Sequence, residues 1–232
     1  MNKSRQNHGL SNSKFCILNG PVKTLKDFLA TVPVKKFNKD DILAHQGDES
    51  EQIYIVKSGI IRCYDISLEG NQQLIWLLSK DEIFPFTLLF EIDEKIRFFY
   101  SAFSDAEVYV VNKTELADFL KSKPKVLFEI CAEMTRKFDG LHHRVNATGK
   151  PKAREKILHT LAFIADRFNA DEPQNKQVEL SLPLTHQDIA DLVGLTRETT
   201  ATTLKQLKDE NFIDYENQRF LVHRDKIEKA LW

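Results

Sequence analysis

Cysteine is scarce and scattered: Cys16, Cys63 and Cys131 lie far apart, with no CxxC and no Cys/His cluster. That excludes a disulfide framework or a structural zinc site and leaves three small, buried or partly buried thiols. Long apolar runs are missing as well. No stretch approaches the roughly 20 residues that span a bilayer. The segment Met1 to Ser13 is polar and lacks the apolar run of a secretory signal. A cytoplasmic protein with no membrane partner is expected. Charge of one sign is also lacking, with 33 Lys plus Arg against 34 Asp plus Glu and a net charge of −1. Residues 150–232 alone carry 13 basic against 14 acidic side chains. No global field announces a nucleic-acid partner, so any such surface must be a local patch. No Ser/His/Asp constellation, P-loop, HExxH or Gly-rich dinucleotide turn is present, so no catalytic or metal residues are assigned and no enzyme is expected. Internal repeats and low-complexity tracts are absent too.

What is present suits a globular protein with a core, in one large domain or two modest ones: 42% of residues are hydrophobic and 29% charged. From about Lys35 to Lys113, short apolar runs alternate with turn signals. Ile53-Tyr54-Ile55-Val56 leads to Lys57-Ser58-Gly59, Ile60 to Tyr64 follows, and Leu74 to Leu78 lies beyond Gly70-Asn71. Such strands, about 8–12 residues apart, indicate a sandwich or barrel. Gly47, Gly59 and Gly70 fall where turns want positive φ. Ala106 to Val111 fits a closing strand.

From Ser122 the period becomes helical. Leu127, Cys131, Met134, Phe138, Leu141 and Val145 follow at alternating steps of four and three, an a/d seam over nearly three heptads. Such a stripe packs either on its own domain or on a partner helix. Gly140 inside it weakens the helix by about 1 kcal/mol relative to Ala. Asn146 to Pro151 reads as a hinge, and Ile157, Leu158, Leu161, Ile164, Ala165 and Phe168 mark one side of a second helix. The expected domains are 21–121, 122–148 and 149–232.

Residues 182–224 carry the most specific pattern. Thr185 with Asp188 forms a capping box with a short acid, and Gly194 supplies the left-handed residue that ends the helix. Thr196 caps a second helix, on which Thr200, Leu204 and Leu207 face inward. Arg197, Glu198, Ala201, Thr202 and Lys205 share the opposite face. Two short helices joined through a glycine turn form a helix-turn-helix, whose second helix enters the major groove of DNA. Arg197 can donate twice to guanine and Glu198 can accept from cytosine, while small Ala201 permits close approach. Thr199, Thr202 and Thr203 are candidates for phosphate or a thymine methyl. Phe212 to Tyr215 and Arg219 to His223, around Glu216-Asn217-Gln218, read as a hairpin wing.

At Leu184 to Ala190, Gly194 to Thr199, Leu204 to Leu207 and Phe212-Ile213, the chain resembles the family of the cyclic-AMP receptor protein and the fumarate–nitrate reductase regulator (Crp/Fnr). A looser match runs through Gln46-Gly47-Asp48, Ile53 to Gly59 and Gly70. The resemblance implies an α+β chain: an N-terminal cyclic-nucleotide-binding-like β-roll, a long dimerisation helix and a C-terminal winged helix-turn-helix. It implies a homodimeric transcription regulator on a palindromic operator in double-stranded DNA, with RNA polymerase as a further partner. The alternative is a regulatory module of the same build that no longer reads DNA. Arg197 and Glu198 match the family's base-reading pair, but Thr202 stands where a second arginine is common. Pro85 and Phe86 stand where members that bind cyclic AMP have Gly-Glu, and Arg97 lacks the serine beside it, so cyclic AMP is not expected as effector. Three cysteines cannot supply an iron–sulfur cluster with four thiolates; the seven histidines leave a haem sensor open. No cofactor is assigned. Phe84, Phe86, Arg97 and Phe99 are the candidate effector residues, in an aromatic-rich region that is either plain core or an apolar ligand pocket beside the dimer helix.

Overall fold

A computed structural model describes residues 23–168 and 175–231. Cys16, the lead-in before residue 21 and most of the 170–175 loop therefore lie outside the described residues. In chain order the N-terminal half comprises α1 (Lys23–Leu29), β1 (Val34–Phe37), β2 (Ile42–Ala44), β3 (Gln52–Ser58), β4 (Ile61–Ile66), β5 (Gln72–Leu78) and β6 (Ile83–Phe84). These are followed by α2 (Phe86–Leu89), β7 (Phe99–Ala102), β8 (Ala106–Asn112) and α3 (Lys113–Ser122). The strands form two antiparallel sheets, β1-β8-β3-β6 and β2-β7-β4-β5. Ile53, Ile55, Ile61, Phe84 and Val108 fill the space between them. Gly59 passes the chain from one sheet to the other at φ +78°, and a Cβ there would stand 2.2 Å from the Asp105 carbonyl oxygen, so only glycine fits.

The roll boundary expected at residue 121 does not fall at the end of a strand. Instead, α3 follows β8 with no loop, because Asn112 caps it: its side-chain oxygen accepts from the N–H groups of Thr114 and Glu115.

Helix α4 (Pro124–Thr148) has 25 residues and is about 37 Å long at 1.5 Å per residue. Pro124 sits in its first turn, where no intrahelical N–H is lost. One side, through Val126, Ile130, Gly140 and Ala147, packs on its own chain. Gly140 is the close-approach point: a Cβ there would lie 2.7 Å from Cη2 of Trp76 and 3.4 Å from the ring of Phe163.

The C-terminal half contains α5 (Ala153–Phe168), β9 (Gln177–Glu179), α6 (His186–Val193), α7 (Arg197–Asp209), β10 (Ile213–Glu216), β11 (Arg219–His223) and α8 (Arg224–Leu231). The wing is three-stranded, in the order β10-β11-β9, rather than the expected hairpin alone. Its core of Leu161, Ile164, Ile189, Leu204, Leu207 and Phe220 continues into Tyr64, Leu74, Leu77 and Phe103 of the roll. The two halves thus share buried apolar surface, which favours one docked arrangement.

Candidate nucleic-acid interface

The α6–α7 unit is built by local rules. Thr185 Oγ1 accepts from the Asp188 N–H at 3.1 Å, and the Thr185 N–H donates to Asp188 Oδ2 at 2.7 Å, which makes the capping box reciprocal. Gly194 ends α6 at φ +66° with open space around it, so its backbone angle and not crowding calls for glycine. Thr196 caps α7, its hydroxyl accepting from the Thr199 N–H at 3.2 Å and donating to the Thr199 hydroxyl at 2.9 Å.

Along α7, Thr200, Thr203, Leu204 and Leu207 are buried, while Arg197, Glu198, Thr199, Thr202 and Lys205 are exposed and Ala201 is half-buried. Thr203 is therefore no candidate for DNA contact: its hydroxyl donates back to the Thr199 carbonyl at 2.8 Å. No hydrogen bond or ion pair engages Arg197, Glu198, Thr202 or Lys205 among the described residues. Neighbouring cations are neutralised, Lys208 by Asp214 at 2.6 Å, Arg154 by Glu210 at 2.6 Å and Arg219 by Glu179 at 3.5 Å. On α7 this leaves two exposed cations, Arg197 and Lys205, beside the exposed carboxylate of Glu198.

A cleft of about 490 Å³ opens between the α6 N-terminus, the tip of α7 and the wing, with His186, Gln187, Arg197, Tyr215 and Gln218 on its walls. His186 lies edge-on to Tyr215, ring centres 5.2 Å apart, and Tyr215 stacks on Phe220. Burial and then the Arg197 charge push the His186 imidazole below its ordinary pKa, which favours its neutral form. Gln218 sits in the two-residue wing turn, where Asn217 (φ 49°) and Gln218 (φ 68°) both take the left-handed region. Sequence reasoning missed His186, Gln187 and Gln218; their only signal was their place in the first helical turn and in the wing turn.

On α4, Cys131, Met134, Phe138, Leu141 and Val145 all face outward, with Phe138 60% and Val145 69% exposed. Leu127, the first residue of the expected seam, is half-buried against the roll core, so the free stripe begins one step later. Phe128, unforeseen, is exposed on its flank. One face of α4 is spoken for and the other is an unpartnered apolar stripe.

The four candidate effector side chains each have another commitment. Phe84 is core, stacked between Tyr54 at 5.4 Å and Tyr100 at 4.9 Å. Phe86 carries the Lys137 ammonium 4.6 Å over its ring. Arg97 is exposed and its guanidinium is held in a bidentate pair with Asp93, at 2.5 and 2.8 Å. Phe99 stacks on Tyr64 at 5.4 Å. Of the four, Phe84 belongs to the core, Phe86 and Phe99 are half-buried, and Arg97 is exposed and paired with Asp93.

A charged cluster that sequence reasoning missed lies between roll, α4 and α5. Glu82, 1% exposed, meets Arg167 at 2.5 Å and Lys137 at 3.0 Å and accepts from the Ser79 N–H at 2.7 Å. Burial alone would push its carboxyl up, but Lys137 and Arg167 outweigh that and hold it at about 2. Arg167 also lies 4.3 Å over the Trp76 ring. Among the described residues no cluster of three or more His, Cys, Asp or Glu side chains is placed to hold a metal ion, and no helix is long and apolar enough to cross a membrane.

Known proteins share this build. The Crp-like helix-turn-helix domain matches residues 155–229, and the cyclic nucleotide-binding domain matches residues 34–123. The cAMP-activated global transcriptional regulator CRP of Escherichia coli is 24% identical over 201 residues, covering 86% of this chain and 94% of that protein. Among solved structures, FixK2 of Bradyrhizobium japonicum superposes with a TM-score of 0.71 at 21% identity, covering 86% of this chain and 96% of its own. A CooA mutant of Carboxydothermus hydrogenoformans reaches a TM-score of 0.75 at 20% identity, over 94% of this chain and 99% of its own.

Proposed function

Because the chain belongs to the Crp/Fnr family of DNA-binding transcription regulators, we propose that it acts as a homodimer on a palindromic operator, laying α7 of each protomer in the major groove. The observation that carries this reading is the exposed, unpaired Arg197–Glu198 tip of a capped helix. In that pose Arg197 donates to guanine O6 and N7, Glu198 accepts from cytosine N4, and Thr199, Thr202 and Lys205 meet phosphates or a thymine methyl. The second copy covers the stripe from Cys131 to Val145, and two-fold symmetry sets half-sites about 34–36 Å apart. Such a role places the protein in the cytoplasm with the DNA, with RNA polymerase as the machinery it acts on.

The effector is not cyclic AMP. Pro85 offers no N–H, the Phe86 ring carries Lys137, and Arg97 is taken by Asp93. A cyclic phosphate buried there without donors would be costly. An iron–sulfur cluster is disfavoured on the same chemical footing: four thiolates are needed, and burial pushes the Cys63 thiol up to about 12.

Selection of DNA sites in vitro, followed by gel shift at fixed salt, tests the reading. Arg197→Ala should lose about 1–3 kcal/mol of discrimination per half-site, or about 2–6 kcal/mol for the pair, with the fold intact. Unchanged affinity for the selected site refutes it.

A further inference from the structure

Arg144 lies on the inward side of α4, away from the apolar stripe. Its guanidinium is mostly buried and reaches three backbone carbonyls in two different domains. Nη1 donates to Ile75 of β5, and Nη2 donates to Leu74 of β5 at 2.8 Å and to Leu192 of α6 at 3.0 Å. Two of the three acceptors, Ile75 and Leu192, are available for a reason. In the β4–β5 ladder Cys63 pairs with Trp76 but Tyr64 pairs with Leu74, so Ile75 is the extra residue of a bulge and its carbonyl is not committed to the ladder. Leu192 is in the last turn of α6, where carbonyls lack intrahelical partners and the helix end carries partial negative charge. Burial pushes the guanidinium pKa down to about 10, which leaves it charged at neutral pH. One cation on the dimer helix thus ties the sensor roll to the first helix of the reading unit.

We infer that Arg144 is a positioning residue, which fixes the bearing of α6 and α7 against α4 and β5 and so sets the half-site spacing that a dimer accepts. This rests on the DNA-reading dimer proposed above. The apolar contact of Tyr64, Leu74, Leu77 and Phe103 with the C-terminal core holds the two halves together, but such contact is non-directional and tolerates sliding. Three hydrogen bonds from one planar guanidinium define an orientation. The residue lies on the same helix as the stripe, so a change in how two copies pack along α4 moves the clamp directly.

The test compares wild type, Arg144→Met and Arg144→Lys on DNA selected with the wild type and on duplexes whose central spacer is lengthened or shortened by two base pairs. A single half-site duplex and sedimentation of the dimer serve as controls. For Arg144→Met the preference for the selected spacer should fall by about tenfold or more, with half-site affinity and dimerisation kept, because loosely linked readers lose the geometric gain of binding together. Arg144→Lys should fall between the two, and decides the matter if the methionine variant does not fold. A mere loss of stability would weaken binding at every spacing alike; retention of the wild-type spacer preference in both variants overturns the inference. Failure of the wild type to select any DNA would instead overturn the proposed function.

Discussion

Gly140→Ala sets helix propensity against packing at one atom. In an isolated helix the change would gain about 1 kcal/mol. Here the new Cβ would stand 2.7 Å from Cη2 of Trp76, closer than carbon atoms approach without movement. The indole has little room to retreat: it is 7% exposed, its Nε1 donates to Glu82 at 3.4 Å, and Arg167 lies 4.3 Å over its ring. Overpacking of this kind costs about 1–3 kcal/mol, so the net effect is a destabilisation of up to about 2 kcal/mol. Trp76→Phe removes the offending atom, and in that background the same Gly140→Ala change should become neutral or stabilising by up to about 1 kcal/mol. Urea unfolding followed by circular dichroism measures all four proteins, at one protein concentration because association shifts the midpoint. A Gly140→Ala protein more stable than wild type, or an effect of the same size and sign in both backgrounds, refutes the steric account.

Glu82→Gln should destabilise the protein by about 3–5 kcal/mol, since it leaves Lys137 and Arg167 buried without their carboxylate; thermal unfolding reads this. The folded-state pKa of Glu82 is depressed from 4.5 to about 2, so its contribution is whole above pH 4.5 and is lost as pH falls toward 2. Acid unfolding curves of wild type and Glu82→Gln should therefore converge in that window, and parallel curves would count against the ion cluster. Phe138→Asp, at an outward position of α4, should turn the dimer into a monomer in sedimentation equilibrium without changing the circular dichroism spectrum. Calorimetric titration with cyclic AMP should give no heat at micromolar ligand; tight binding would falsify the assignment of Pro85 and Phe86.

The reading unit was legible because its rules are local. The Thr185–Asp188 box, Gly194 and the Thr196 cap each act within four residues, and each stands in the structure as the sequence suggested. Strand β9 escaped notice because three residues owe their conformation to distant β11. Gly140 looked like a defect in a seam for the same reason: what it accommodates is Trp76, far away in sequence and invisible to periodicity. The aromatic richness around Phe84 was plain, but composition says nothing about whether a ring stacks on Tyr100 or lines a cavity. Arg97 is a different case: Asp93 lies only four residues away, and the pair was passed over although its spacing is local.

The core shared by the roll and the reading unit bears on how such chains are recombined. Tyr64, Leu74, Leu77 and Phe103 belong by chain position to one half and by burial to the other. A chimera that joins this N-terminal half to another regulator's C-terminal half at the 149–152 connection inherits four side chains shaped for a surface no longer present. Grafts should succeed when those four are exchanged together with the C-terminal segment, and should aggregate when the cut follows the connection alone.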